Sequence, residues 1–139
     1  MSKAYDFLKE CGAFFVLTIN GEYPAGRPFG AVMEIGDDLY LATNDMNQAH
    51  KQMREHKQIQ IVAKKPDSRA WIRITGISEE CDNLELKSRM LEECPVLHKH
   101  YESAELLKSL WQVFAQVICI LSTDLFPKRF PVLRWDMKW

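Results

Sequence analysis

The chain has 139 residues, the length of one ordinary domain. With 47% hydrophobic residues it is too apolar to be disordered, and its formal net charge of −1 offers no overall positive field for DNA or RNA. No run reaches the roughly 20 apolar residues of a membrane-spanning helix, and no basic segment followed by an apolar run marks a signal peptide. We therefore expect a single domain over residues 1–139, in the cytoplasm, without a nucleic-acid or membrane partner.

The first part of the chain predicts a helix followed by an antiparallel meander. Ser2 can cap the helix, and Gly12 ends it. Turn-forming pairs such as Asn20-Gly21 then separate runs of aromatic and branched residues. The middle strand is interrupted near Pro28, which has no N–H for a sheet ladder. The predicted strands cover 13–19, 25–35 and 39–43.

The second part of the chain alternates helices and strands. Asn44 or Asp45 can cap a helix that runs to about residue 56, and Asp82 can cap one that ends before Pro95. Side chains alternate over 70–78, as in a strand with one buried face. The further strands are predicted over 58–63, 70–78 and 113–121. Local hairpins with helices between them predict a mainly β fold with helical decoration, a closed or nearly closed antiparallel barrel.

The break at Arg27-Pro28-Phe29-Gly30 is the segment best suited to a ligand. Arg27 offers a fork of donors that matches a phosphate, and free backbone groups beside it could meet the polar edge of a planar ring. Thr43 and Asn44 lie where a strand leads into a helix N-terminus, which favours an anion. One ligand with a phosphate and a planar polar ring would satisfy this arrangement. The alternative is an Arg27 ion pair on the surface, a Pro28 that protects a strand edge, and two ordinary caps.

Six stretches of the chain form a recognisable series: 7–8, 11–18, 26–30, 39–44, 50–53 and 70–76. In this order they resemble the pyridoxamine 5'-phosphate oxidase-like family of FMN-binding split barrels, in its short general-stress and nitroimidazole-reductase-like branch. The match covers about residues 3–122. The resemblance implies a six-stranded antiparallel split β-barrel and a homodimer whose FMN sites are built from both subunits.

The resemblance also implies which residues form the site. Arg27 and the strand end at Thr43-Asn44 would hold phosphate and ribityl oxygens, and Phe29 and Gly30 would lie along the flavin ring. Relatives usually carry Lys or Arg in the next helix turn, whereas this chain has Met46-Asn47-Gln48-Ala49 there. A missing charge-assisted contact predicts FMN binding weaker by about one to two decades. The full set of cofactor-binding candidates is Arg27, Pro28, Phe29, Gly30, Thr43, Asn44, Asn47, Lys51, Gln52, Trp71 and Arg73.

The resemblance thus implies an FMN-dependent oxidoreductase acting on a small molecule, with NAD(P)H as a candidate transient reductant. No catalytic acid or base is assigned, and His50 is either a core or rim histidine or a group of the flavin site. The alternative is a non-catalytic flavin-, haem- or deazaflavin-binding protein of the same fold.

Two further features of the sequence, a cluster of metal-ligand residue types and the C-terminal segment, also bear on function. Cys94, His98 and His100 have metal-ligand residue types but lack a fourth ligand at a standard spacing, so we predict no metal site. The segment 123–139 is basic and aromatic, and we interpret it as an arm that packs on the barrel or on a partner. An RNA-binding barrel that uses this arm is the other interpretation.

Overall fold

The computed structural model describes residues 3–121 and 132–136. Each predicted helix is present, and every predicted strand region forms sheet. In chain order the elements are α1 (Lys3–Cys11), β1 (Phe14–Asn20), β2 (Tyr23–Phe29), β3 (Val32–Ile35), β4 (Asp38–Thr43), α2 (Gln48–Glu55), β5 (Gln58–Lys64), β6 (Trp71–Cys81), α3 (Leu84–Glu93), two 3₁₀ turns (Pro95–Lys99 and Ala104–Leu106), β7 (Ser109–Leu121) and β8 (Val132–Asp136).

The strands form one antiparallel sheet in the order β2-β1-β5-β6-β7-β4-β3, and β8 pairs with β7 beside this path. The two end strands, β2 and β3, are neighbours in the chain and are joined only by Gly30 and Ala31. Three Cα steps span at most roughly 11 Å, so the two ends of the sheet must lie side by side. The sheet therefore curls into a barrel whose seam lies between β2 and β3.

This topology confirms the predicted mainly β split barrel and corrects two details. Residues 25–35 are not one interrupted strand but two strands with different partners, since β2 pairs with β1 and β3 pairs with β4. The predicted meander is therefore wrong, and so is the count of six strands, because seven follow one another along the sheet and β8 is added to them. Of the predicted arm, 132–136 forms β8 and the rest lies outside the described residues.

Two apolar clusters lie on the two sides of β4. Leu39 and Leu41 belong to the cluster inside the barrel, while Tyr40 and Ala42 belong to a second one that α3 covers with Met90 and Leu91. A strand that is buried on both faces needs a continuous apolar run rather than an alternating one. The second cluster holds α3 and the chain after it against the outside of β3 and β4.

The loop between β4 and α2 is organised by asparagine side chains. The side chain of Asn44 accepts the N–H of Met46 at 2.7 Å, which closes a turn before the helix. The N-cap of α2 is Asn47, so the prediction of Asn44 or Asp45 as the cap was wrong. The side chain of Asn47 makes no capping hydrogen bond, and its Nδ2 donates to Thr43 Oγ1 at 2.8 Å. The end of β4 and the start of α2 are thereby tied together.

Within the described residues, every helix is too short or too polar to span a membrane.

A glycine is required where β6 and β7 approach most closely. The register between these strands shifts between Thr75 and Gly76, and a Cβ at Gly76 would collide with the carbonyl oxygen of Phe114 and lie 3.0 Å from Ala115 Cα. Both obstacles are backbone atoms of the longest strand, so they cannot rotate aside.

We expect Gly76→Ala to lower the free energy of unfolding by about 1–3 kcal/mol, because the added methyl overpacks this contact. The measurement is urea unfolding, and the control is Gly26→Ala. There the new Cβ would be in ordinary contact with Leu17, at 3.5 Å, so the control should change stability by less than about 0.5 kcal/mol. If Gly76→Ala lowered the free energy of unfolding as little as Gly26→Ala does, the bulge would tolerate a side chain.

A buried polar chain pins α2 to β7. Trp111 Nε1 donates to Ser109 Oγ at 2.6 Å, and Ser109 Oγ lies 2.7 Å from His50 Nδ1. The imidazole of His50 is 5% exposed and lies edge-on to the Trp111 ring. Helix α2 is thus anchored through a histidine that folding removes from water.

Burial lowers the pKa of His50; Glu80 opposes this shift, Arg54 reinforces it, and Asp45 opposes it. Because the unfolded chain then takes up a proton that the folded chain resists, the free energy of unfolding should fall as the pH drops through about 6.5. Urea unfolding between about pH 5 and pH 8 measures this slope. His50→Gln should flatten the slope, and an unchanged slope would contradict the assignment.

Candidate functional site

The seam between β2 and β3 opens into a pocket of about 310 Å³. The register between β3 and β4 pairs Val32 with Leu41, so the residues just before β3 come to lie beside the end of β4. The Gly30-Ala31 link and the Thr-Asn strand end therefore meet because they belong to adjacent, antiparallel parts of the chain, whereas Pro28 lies inside β2, paired with Phe15. The pocket is lined by Arg27, Pro28, Phe29, Gly30, Ala31, Ala42, Thr43, Asn44, Asn47, Val96, Leu97, His100 and Tyr101.

The structure brings together seven of the predicted cofactor-binding residues around this pocket. They are Arg27, Pro28, Phe29, Gly30, Thr43, Asn44 and Asn47. The other four, Lys51, Gln52, Trp71 and Arg73, do not line this pocket.

Gln52 is joined to the first group by a side-chain hydrogen bond. It is 5% exposed, and its Oε1 accepts a hydrogen bond from Arg27 Nη2 at 2.7 Å. It therefore lies behind the pocket wall, where it contacts the arginine and not the cavity.

Lys51, the predicted substitute for the missing basic residue, lies on another face of α2. It is exposed and lines a separate charged cavity of about 830 Å³, together with His50, Arg54, Glu80 and Lys87. His50 is thus a buried histidine at the floor of that second cavity.

Trp71 and Arg73 lie on the outer face of the barrel. The Trp71 ring lines a largely apolar depression with Phe15, and the Arg73 guanidinium lies 5.6 Å from its centroid. Neither residue lines the seam pocket within one chain.

Sequence reasoning missed the wall formed after α3. Val96, Leu97, His100 and Tyr101 come from the first 3₁₀ turn and the residues after it, and all four line the pocket. The Tyr101 hydroxyl donates to the carbonyl oxygen of Thr43 at 3.3 Å, which ties this wall to the end of β4. The apolar pair Val96 and Leu97 after Pro95 was the one signal that this segment packs against the barrel, but the polar residues around it masked that signal.

Arg27 is held by three neutral acceptors. Its Nη1 donates to the Val16 carbonyl oxygen at 3.2 Å and to Thr18 Oγ1 at 2.8 Å, and its Nη2 donates to Gln52. None of the ion pairs among the described residues includes Arg27. Burial lowers the pKa of its guanidinium, and no carboxylate acts against that shift. The pocket therefore contains a half-buried cation for which residues 3–121 and 132–136 supply no counter-ion, an arrangement suited to an anionic ligand.

The metal-ligand residue types found in the sequence do not converge. Cys94 is buried, with its Sγ 3.4 Å from the Val32 carbonyl oxygen, whereas His98 and His100 are exposed. In the described part of the chain, no group of three or more His, Cys, Asp or Glu side chains is placed to hold a metal ion.

Comparisons with known proteins were made by sequence and by structure. No family model matches the chain, and no curated protein matches it. A solved NimC/NimA family protein from Clostridium acetobutylicum is similar to it, with a TM-score of 0.82, 32% identity, and coverage of 96% of this chain and 90% of that one.

Two further solved structures share the fold at low identity. One, from Clostridium acetobutylicum, is related to general stress protein 26 and is described as of the pyridoxinephosphate oxidase family; it has 11% identity, a TM-score of 0.74, and coverage of 97% of this chain and 92% of that one. The other is a haem-binding protein from Mycobacterium smegmatis, with 14% identity, a TM-score of 0.70, and coverage of 96% of this chain and 58% of that one.

The resemblance predicted from the sequence is confirmed by these structures, which have the split-barrel fold of the pyridoxamine 5'-phosphate oxidase-like proteins. Because the solved NimC/NimA family protein is 32% identical to this chain, which covers nine-tenths of it, this chain belongs to the NimC/NimA family.

Proposed function

We propose that this protein binds FMN in the seam pocket and acts as an FMN-dependent oxidoreductase on a small molecule. The observation that carries the proposal is the half-buried Arg27 guanidinium, which lines the pocket and has no carboxylate partner among the described residues. A phosphate monoester supplies the missing negative charge and matches the planar donors of arginine.

The pocket also fits the planar part of a flavin. Gly30 lines it, and a Cβ built on Gly30 would have no heavy atom within 4 Å. Gly30 and Ala31 belong to neither strand, and we propose that backbone groups of this link face the ligand. Such groups can pair with the polar edge of a ring that lies against them.

Bound FMN would supply hydride and electron transfer, and NAD(P)H is the proposed transient reductant. The residues of this chain would bind the cofactor and orient it. Arg27 holds the anionic group, Asn47 and Thr43 fix the rim through their hydrogen bond, and Phe29 and Tyr101 exclude water from the lining. We assign no catalytic acid or base.

FMN affinity should depend strongly on Arg27. The first turn of α2 presents the neutral Asn47 to the pocket, and Lys51 lines the other cavity. The prediction that FMN binds more weakly than it would with a basic residue in this turn therefore stands as part of the proposal.

The proposal includes a homodimer. The depression beside Trp71 is largely apolar, and Phe15 within it is 53% exposed, which is unusual for a phenylalanine with no partner surface. A second copy that covers this face would bury it. Sedimentation of the purified protein measures this state, and a monomer at micromolar concentration would contradict it.

Haem binding without catalysis is the second candidate. His100 lines the pocket, and histidine is a common axial ligand of haem iron. The Mycobacterium smegmatis haem-binding protein has the same fold, which is compatible with this alternative.

The test is to titrate the purified protein with FMN and to follow quenching of flavin fluorescence. Gly30→Val should weaken FMN binding at least about tenfold, because it adds a branched side chain at a residue that lines the pocket and where a Cβ meets no heavy atom within 4 Å. Gly26→Val, on the same strand but outside the lining, is the matched control and should bind FMN like the wild type.

A protein that neither carries nor takes up FMN would refute the flavin proposal. A Soret band in the purified protein would favour the haem candidate instead. Consumption of NAD(P)H with nitro or quinone acceptors separates an enzyme from a flavin carrier.

A further inference from the structure

The guanidinium of Arg27 has two edges that can each hold a pair of oxygens, and the protein fills one of them. Thr18 Oγ1 and Gln52 Oε1 are hydrogen-bonded to each other at 2.5 Å, and they accept from Nη1 and Nη2 respectively. Two acceptors in mutual contact must share the edge between Nη1 and Nη2. The carbonyl oxygen of Val16 takes the remaining Nη1 hydrogen.

The second edge, made by Nε–H and the outer Nη2–H, has no acceptor among the described residues. A two-oxygen anion binds such an edge through two parallel hydrogen bonds. The network thus fixes the guanidinium by one edge and leaves the other available to a ligand.

The chemical nature of the acceptor at residue 52 decides whether Arg27 keeps its charge available. Gln52 Oε1 accepts two hydrogen bonds, from Thr18 and from Arg27, which an amide oxygen can do without adding charge. A glutamate of the same shape would accept both bonds and neutralise the arginine. Buried cations are normally paired in that way, so a neutral acceptor here is the exception that requires a reason.

We infer that Gln52 is a positioning residue that makes the seam pocket selective for a ligand with a phosphate group, by orienting Arg27 while leaving its charge unpaired. This inference rests on the proposed function, because it names FMN rather than the uncharged riboflavin as the flavin that the pocket selects. Gln52, which lies outside the cavity, would then set the preference for FMN over riboflavin, although both ligands carry the same ring.

The test is Gln52→Glu, titrated with FMN and with riboflavin. FMN binding should weaken by about tenfold to a hundredfold, the loss typical of one charge-assisted contact. Riboflavin binding should stay as in the wild type, because the ring's surroundings are unchanged. A merely structural role of Gln52 would alter both titrations, so the ratio of the two affinities is the decisive readout.

Gln58→Glu is the matched control, since it introduces the same charge at an exposed residue that does not line the pocket. It should leave the ratio of FMN to riboflavin affinity unchanged. Urea unfolding checks that Gln52→Glu folds, and we expect its stability to be equal to or above that of the wild type, because the glutamate pairs with Arg27.

Inorganic phosphate allows a second test, which does not require flavin binding. It should raise the thermal unfolding midpoint of the wild type and have a smaller effect on Gln52→Glu. Equal stabilisation of both proteins, or a Gln52→Glu protein with an unchanged ratio of FMN to riboflavin affinity, would overturn the inference. A wild type that binds neither flavin but is stabilised selectively by phosphate would overturn the proposed function and support the role of Gln52.

Discussion

The two-residue link at Gly30-Ala31 is the constraint on which the rest of the structure depends. It joins strands at opposite ends of the sheet path, so it forces the sheet to close and leaves a seam where the closure is covalent rather than hydrogen-bonded. Two-residue links also join β1 to β2 and β3 to β4, where the strands pair as hairpins, but β2 and β3 lie at the two ends of the sheet path and pair with β1 and β4 instead. The pocket lies at that seam, beside Gly30 and Ala31, which belong to no strand.

The seam also explains how a cation can be kept half-buried. Arg27 lies on β2, within reach of β1 through Val16 and Thr18 and of α2 through Gln52. Desolvating a guanidinium is unfavourable unless its donors are satisfied, and three neutral acceptors take three of its five N–H donors without removing the charge. Binding of an anion, as we propose, would offset the free energy lost in burial.

The sequence predicted what depends on local chemistry. Pro28 led to the prediction of a break over 27–30, but the residues up to Phe29 pair with β1 and only Gly30 falls in the gap. The Thr43-Asn44 strand end lines the same pocket as this segment. The pairing of β2 and β3 with different partners was not predictable from alternation, since pairing depends on residues far apart in the chain. The wall at His100 and Tyr101 was missed for the same reason, as only the second apolar cluster brings it to the pocket.

Lys51 lies away from the seam pocket for a geometric reason in the helix itself. Consecutive residues of an α-helix point about 100° apart, so Lys51 and Gln52 cannot serve the same surface. The α2 helix presents Gln52 to Arg27, and it presents Lys51 to the charged cavity, where Arg54 and Glu80 are already paired at 2.9 Å. One helix therefore separates a cavity in which charges are paired from a pocket whose arginine meets no carboxylate in the described part of the chain.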